Sequence, residues 1–194
     1  MSSSLAGKKE KRLMTIDSYK YSIQLFFDKA SENNLVLLID EFRSKNLINH
    51  RYVGDRFIPH ISLSCYRDLD QNYADDIVKK ISSSYSPFDV SFSYIGIFNE
   101  EIKVLFLGPI ITKSLRNIHR YLNDFYIDHD RVCWDYYLPD KWVPHCGIIV
   151  DDEPGKIQEG LKLIMDRKLP TVRVENIAVV GFKEKTYYKF KGNL

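Results

Sequence analysis

Two stretches of the chain carry the same residue types in the same order, and each holds a histidine that could move a proton. Asp55-Arg56-Phe57-Ile58-Pro59-His60-Ile61-Ser62-Leu63 recurs as Asp140-Lys141-Trp142-Val143-Pro144-His145-Cys146-Gly147-Ile148, at an offset of 85 (145 − 60). Position by position the types run acidic, basic, aromatic, β-branched, Pro, His, apolar, small, apolar. An imidazole with an ordinary pKa of about 6.5 lets one copy be neutral and the other charged near neutral pH. The neutral ring can take a proton from a hydroxyl or a water while the charged ring protonates a leaving oxygen, which suits phosphoryl chemistry on RNA without a metal. Strand alternation puts His60, Ser62, Ser64 and Tyr66 on one side and Ile61, Leu63 and Cys65 on the other. Ser62 is then placed to donate its hydroxyl to a non-bridging phosphate oxygen. In the second copy His145, Gly147 and Ile149 align, with Cys146, Ile148 and Val150 turned to the core.

The elements that must hold these residues also recur. Tyr21–Phe27 is a β-rich run, and Leu35, Leu38, Ile39 and Phe42 follow at helical spacing after a Ser31 N-cap. A strand with His60 comes next, then a helical pattern with Ala74, Ile77, Val78 and Ile81, a break at Pro87, and a strand from Phe88 to Phe98. The second half repeats the order: a strand at Lys103–Leu107, a helix marked by Leu115, Ile118, Leu122 and Phe125, and the His145 strand. A helix opening near Pro154 with Ile157, Leu161, Ile164 and Met165, and strands over Thr171–Phe182 and Tyr187–Phe190, complete it. Gly96 and Gly181 lie 85 apart (181 − 96) and read as a further landmark of the repeat. This pattern predicts an α+β fold of two pseudo-symmetric lobes from an internal duplication. Each lobe is an antiparallel sheet backed by two helices, and the two histidines stand on opposite walls of a central cleft.

On these residues the chain resembles the two-histidine (2H) phosphoesterase superfamily. His60-Ile61-Ser62-Leu63 is similar to the first His-x-Ser/Thr-x motif and Trp142-Val143-Pro144-His145 to the second. Ile95-Gly96-Ile97-Phe98 followed by Val104-Leu105-Phe106-Leu107 draws the likeness toward the bacterial 2′-5′ RNA ligase-like, or RNA 2′,3′-cyclic phosphodiesterase, branch. The resemblance covers about residues 19–190. It implies a bilobal fold and action on cyclic or 2′-5′ phosphodiesters, with His60 and His145 as the acid–base pair and Ser62 as phosphate donor. Where the second motif calls for Ser or Thr, this chain has Gly147, so the second hydroxyl is missing and a backbone N–H or an ordered water is left to substitute, glycine permitting close approach of a phosphate. The rival reading is a catalytically weak nucleotide- or RNA-binding module with a degenerate second motif.

Charge and composition narrow the partners. The 28 basic and 26 acidic side chains leave +2, so no whole-molecule field draws the protein to nucleic acid, and contact with RNA must be local. Residues 1–14 hold Lys8, Lys9, Lys11 and Arg12 against Glu10 and read as a basic flexible tail. Residues 15–194 read as one bilobal domain, with repeat halves near 19–100 and 101–190. No apolar run approaches a membrane span. Cys65, Cys133 and Cys146 fit a reducing cytoplasm better than a disulfide framework. The expected partner is an RNA end or a small nucleotide, with no cofactor, no metal and no obligatory protein partner, and the protein is expected to be a monomer. Arg56 and Lys141 hold equivalent places and are candidates for phosphate contact, against a reading as solvated loop charges. Tyr66 and Phe98 are candidates for stacking on a base, against ordinary core packing, with Tyr66 favoured because it shares the His60 face. His50, His119 and His129 lack a repeat partner and read as surface or loop histidines.

Overall fold

The computed structural model describes residues 21–49, 57–66, 69–125, 135–151, 153–181 and 185–189. Arg56, His50, His129, Cys133 and the basic tail lie outside the described residues. The element order is β1 (Tyr21–Phe27), α1 (Lys29–Ser44), β2 (His60–Tyr66), α2 (Gln71–Ser84), β3 (Phe88–Asn99), β4 (Lys103–Pro109), α3 (Lys113–Phe125), β5 (Cys146–Asp151), α4 (Pro154–Ile164), β6 (Thr171–Gly181) and β7 (Lys185–Lys189). Among the described residues no helix is long and apolar enough to cross a membrane.

Local chemistry explains where the helices begin. Asp28 caps α1 by accepting from the Ser31 N–H (2.9 Å), and Asp70 caps α2 by accepting from the Tyr73 N–H (3.0 Å). Thr112 accepts from the Leu115 N–H (3.2 Å) ahead of α3, and Pro154 opens α4. The sequence expectation of Ser31 as the cap of α1 is therefore off by three residues. Ser31 lies in the first turn, where its hydroxyl accepts from the Arg173 N–H (3.0 Å).

All strand pairings are antiparallel, in the order β2-β1-β6-β3-β4-β5, with β7 on β6. The halves of the chain interleave. β3 follows α2 but runs from Phe92 to Asn99 beside β4, and β6 follows α4 but runs beside β1. Only the first residues of β3 and β6 pair with each other, Phe88–Ser91 against Thr171–Val174, which joins the two parts of the sheet. One face buries Ile23, Leu25, Ile61 and Leu63 with Leu35, Ile39, Ala74 and Ile77 of the helices; the other part buries Leu105, Leu107, Ile148 and Ile149 with Leu115, Ile118 and Ile157.

The pairings in the two parts repeat residue for residue, with offsets that differ by element. β1 maps onto β4 at 82 (103 − 21), and β2 onto β5 at 85 (151 − 66): Tyr21↔Tyr66 answers Lys103↔Asp151, and Gln24↔Ser62 answers Phe106↔Gly147. β3 maps onto β6 at 82 as well, since Tyr94↔Gly108 answers Asn176↔Phe26. Even the irregularities coincide. Leu63 on β2 and Ile148 on β5 are both skipped by the partner strand, each three residues after its histidine. The equivalence of Gly96 with Gly181 is thereby overturned: Gly96 answers Ala178, and Gly181 answers Asn99. The second half has three more residues between its first two strands and three fewer before its last, so one offset read from the histidines does not carry to the flanking strands.

Candidate active site

β2 and β5 stand at opposite ends of the strand order, yet they approach each other. The sheet curls until its end strands meet. Trp142, three residues ahead of His145, donates its indole N–H to the Ser62 carbonyl oxygen (3.1 Å), and the Cys146 thiol takes a hydrogen bond from the His60 backbone. The two motifs, 85 residues apart in sequence, are thus tied backbone to side chain. His60 opens β2, while His145 sits just before β5 rather than within it.

Both imidazoles are held in the same way. His60 Nδ1 bonds the Ile58 carbonyl oxygen at 2.8 Å, and His145 Nδ1 bonds the Val143 carbonyl oxygen at 2.8 Å. A carbonyl only accepts, so each Nδ1 carries the hydrogen and each neutral ring has its lone pair on Nε2. Both histidines are partly buried. Burial lowers the pKa of His145 below its ordinary value, against the opposing pull of its bond to Val143, and so favours the neutral ring.

The surroundings of the two rings differ. Cross-strand partners project to the same side, so Phe26 stands beside His60 and Gln24 beside Ser62. Phe26 and Phe57 lie 5.8 and 5.7 Å from the His60 ring. Buried Gln24 donates to the Ser22 hydroxyl (2.8 Å), which adds two polar residues to that side. Around His145 the neighbours are Phe98 (4.8 Å, edge to face) and Phe106 (5.4 Å), and those two rings stack on each other at 4.4 Å. Gly147 faces Phe106, and a Cβ built on it would meet only Val104, at an ordinary 3.5 Å.

Two sequence expectations change here. Tyr66 does not share the His60 face: the extra residue Leu63 breaks the alternation, so Tyr66 stands opposite Tyr21 on the core side and is 1% exposed. It is packing, the alternative reading. His119 is not a surface residue either. It is 3% exposed and stacks on Trp142 (3.8 Å, planes 3° apart), and its Nε2–H donates to the Tyr137 carbonyl oxygen (2.9 Å). Burial pushes its pKa down to about 4, against the raising effect of the Tyr137 bond. Phe98 does join His145, and Ser62 and Gly147 hold equivalent places; Ser62 is largely buried. Lys141 is exposed, its backbone N–H bonded to the Leu138 carbonyl oxygen (2.9 Å). Gln24, Ser22 and Phe106 were not among the expected site residues, and His119 was expected only as a surface or loop histidine. The polar Ser22 and Gln24 at alternate places in the apolar run Tyr21–Phe27 were a signal that could have found two of them; His119 offered none. Among the described residues no group of three or more His, Cys, Asp or Glu is arranged to hold a metal ion.

Comparison with known proteins agrees with this fold. The sequence model of the 2′-5′ RNA ligase superfamily matches residues 29–186. No curated protein matches the chain. Among solved structures, TT0787 of Thermus thermophilus is 13% identical with a TM-score of 0.53, covering 89% of this chain and 95% of that one. Escherichia coli LigT complexed with NADP+ is 12% identical with a TM-score of 0.52, covering 90% and 95%. Usb1 of Kluyveromyces marxianus is 10% identical with a TM-score of 0.50, covering 90% and 100%. At these identities the likeness is one of fold.

Proposed function

The chain belongs to the 2′-5′ RNA ligase superfamily, and from that premise we propose that it is a metal-independent phosphoesterase. Its proposed substrates are 2′,3′-cyclic phosphates or 2′-5′ phosphodiesters at RNA ends or in small nucleotides. The observation that carries the reading is the matched pair of Nδ1 bonds, to Ile58 and to Val143, which turns both Nε2 atoms to acid–base work. In hydrolysis of a cyclic phosphate, His145 Nε2 takes a proton from the attacking water as the new P–O bond forms. His60 Nε2–H protonates the ribose oxygen as its P–O bond breaks, leaving a phosphate monoester. The lowered pKa of His145 supports it as the base. In the reverse direction the roles exchange. Ser62 and the backbone N–H at Gly147 are the proposed phosphate donors, and Phe98 the proposed stacking surface for the base. Structures of E. coli LigT with NADP+, ATP and 3′-AMP give nucleotide ligands for the same fold. Cys65 and Cys146 are buried thiols outside any disulfide, which suits a reducing compartment, and action in the cytoplasm as a single chain is part of the proposal.

The test is hydrolysis of a nucleoside 2′,3′-cyclic phosphate and of a 2′-5′-linked dinucleotide in EDTA, by wild type and by the His60→Ala and His145→Ala variants. Turnover by wild type that is lost in both variants is expected. Activity that survives both replacements at the wild-type rate sinks the proposal. Gly147 favours a second reading, a nucleotide-binding module without turnover; saturable binding of a cyclic nucleotide by a wild type that turns over neither substrate would establish it.

A further inference from the structure

The His145 side of the sheet carries more aromatic surface than one nucleoside needs. Phe106 lies across Gly96: a Cβ there would fall 2.2 Å from the Phe106 ring. Tyr94 lies across Gly108 in the same way, where a Cβ would fall 2.0 Å from its ring. At both positions glycine is required so that a ring can lie flat on the neighbouring strand. The rings then form one continuous run: Phe98 stacks on Phe106 (4.4 Å) and meets His145 edge to face (4.8 Å), and Phe106 meets Tyr94 (6.4 Å, edge to face). Phe106 is the covered middle of this run and is 4% exposed, while Tyr94 at the far end is 44% exposed. Tyr94 and Phe98 sit four residues apart on one strand face, roughly 13 Å at the usual rise.

Resting on the function proposed above, we propose that Tyr94 is a second stacking position, for the base of the penultimate nucleoside, and that the substrate is an RNA end of two or more nucleotides rather than a mononucleotide. Continuity supports this occupant. The shelf begins at the ring of His145 and ends at an exposed tyrosine, so a chain whose terminal base rests on Phe98 passes its next base toward Tyr94. Base stacking tolerates any sequence because every base has a flat face, so the gain is in length rather than in base preference.

The experiment compares kcat/KM for a nucleoside 2′,3′-cyclic phosphate with that for a trinucleotide ending in the same group. It uses wild type, Tyr94→Ala and Tyr94→Phe, with Tm recorded for each. Wild type is expected to favour the trinucleotide about tenfold or more, Tyr94→Ala to cut that ratio about tenfold, and Tyr94→Phe to keep it. Equal kcat/KM for the two substrates in wild type, or an unchanged ratio in Tyr94→Ala, overturns the inference while leaving the phosphoesterase reading intact. No turnover of either substrate overturns the reading instead. In that case the Kd values of a trinucleotide 3′-phosphate and a mononucleotide 3′-phosphate test the shelf alone, equal values overturning it.

Discussion

The two histidine sides of this molecule share a backbone and differ in lining. Each histidine fixes its Nδ1 to the carbonyl two residues before it, and each is followed at the third residue by a bulge. The strand partner of Ser62 is Gln24, whereas the partner of Gly147 is Phe106. Where the first side has Asn176 and Ala178, the second has Tyr94 and Gly96. Both histidines have two phenylalanine rings beside them, but the first side adds hydroxyl and amide groups, whereas the second adds a tyrosine and seats its rings on glycines. On the proposed function, the backbone would fix the proton-transfer atoms in both places and leave the side chains around them to divide the substrate, phosphate to the side of Ser62 and bases to the side of Phe98.

The comparison breaks first at the shared part. If both rings transfer protons, His60→Ala and His145→Ala should each lower kcat by about 10²–10⁴ in the hydrolysis assay, with little change in KM. Because His145 is held neutral to below its ordinary pKa, the acid limb of the pH–rate profile should lie below about 6.5. An acid limb above that value would assign the base elsewhere. The next effect concerns stability. His119 has a folded-state pKa of about 4 against about 6.5 unfolded, so the folded protein prefers it neutral. Its contribution is complete above pH 6.5 and is lost as pH falls from there toward 4, in all about 3 kcal/mol. Urea melts at about pH 7 and about pH 4.5 should show this loss in wild type and a smaller one in His119→Gln; equal losses would place the acid sensitivity in other groups.

How much of this was legible beforehand follows from what a residue's neighbours in sequence can report. The histidine motifs, the helices bearing Leu35 and Ile39 or Ala74 and Ile77, and the strand at Tyr21–Phe27 were readable, because each rests on local spacing. Tyr66 was misplaced because a single extra residue at Leu63 reverses the face of everything after it, and bulges leave no composition signal. The interleaving of β3 and β6 between the halves was hidden because β6 pairs with β1 about 150 positions back in the chain and with β3 about 80 positions back. His119 looked ordinary for a related reason: its partners Trp142 and Tyr137 come from a segment that only the fold brings to α3.

The bond between the two sides gives an intermediate effect. Trp142→Phe keeps the stack on His119 and removes the N–H that reaches the Ser62 carbonyl oxygen. Losing one buried neutral hydrogen bond costs about 1–3 kcal/mol. If the bond positions Ser62 and His60 against His145, kcat should fall about tenfold with KM nearly constant. A matched fall in Tm without any change in kcat would make Trp142 a packing residue only.

The smallest expected effect tests the difference between the two sides most directly. Gly147→Ser restores a hydroxyl at the place equivalent to Ser62, and the built Cβ meets only Val104 at 3.5 Å, so the fold should accept it within about 0.5 kcal/mol. The new hydroxyl would stand beside Phe106, where no amide equivalent to Gln24 is present to orient it. A donor free to rotate contributes less than a fixed one, since ordering it has an entropic cost. The expected result is therefore a gain in kcat of no more than a few-fold. The double variant Gly147→Ser, Phe106→Gln would supply the orienting amide and remove the middle of the aromatic shelf together. If polar and aromatic sides divide phosphate from base, that variant should gain on the mononucleotide cyclic phosphate and lose on the trinucleotide. Parallel changes on both substrates would mean that the two sides do not divide the substrate in this way.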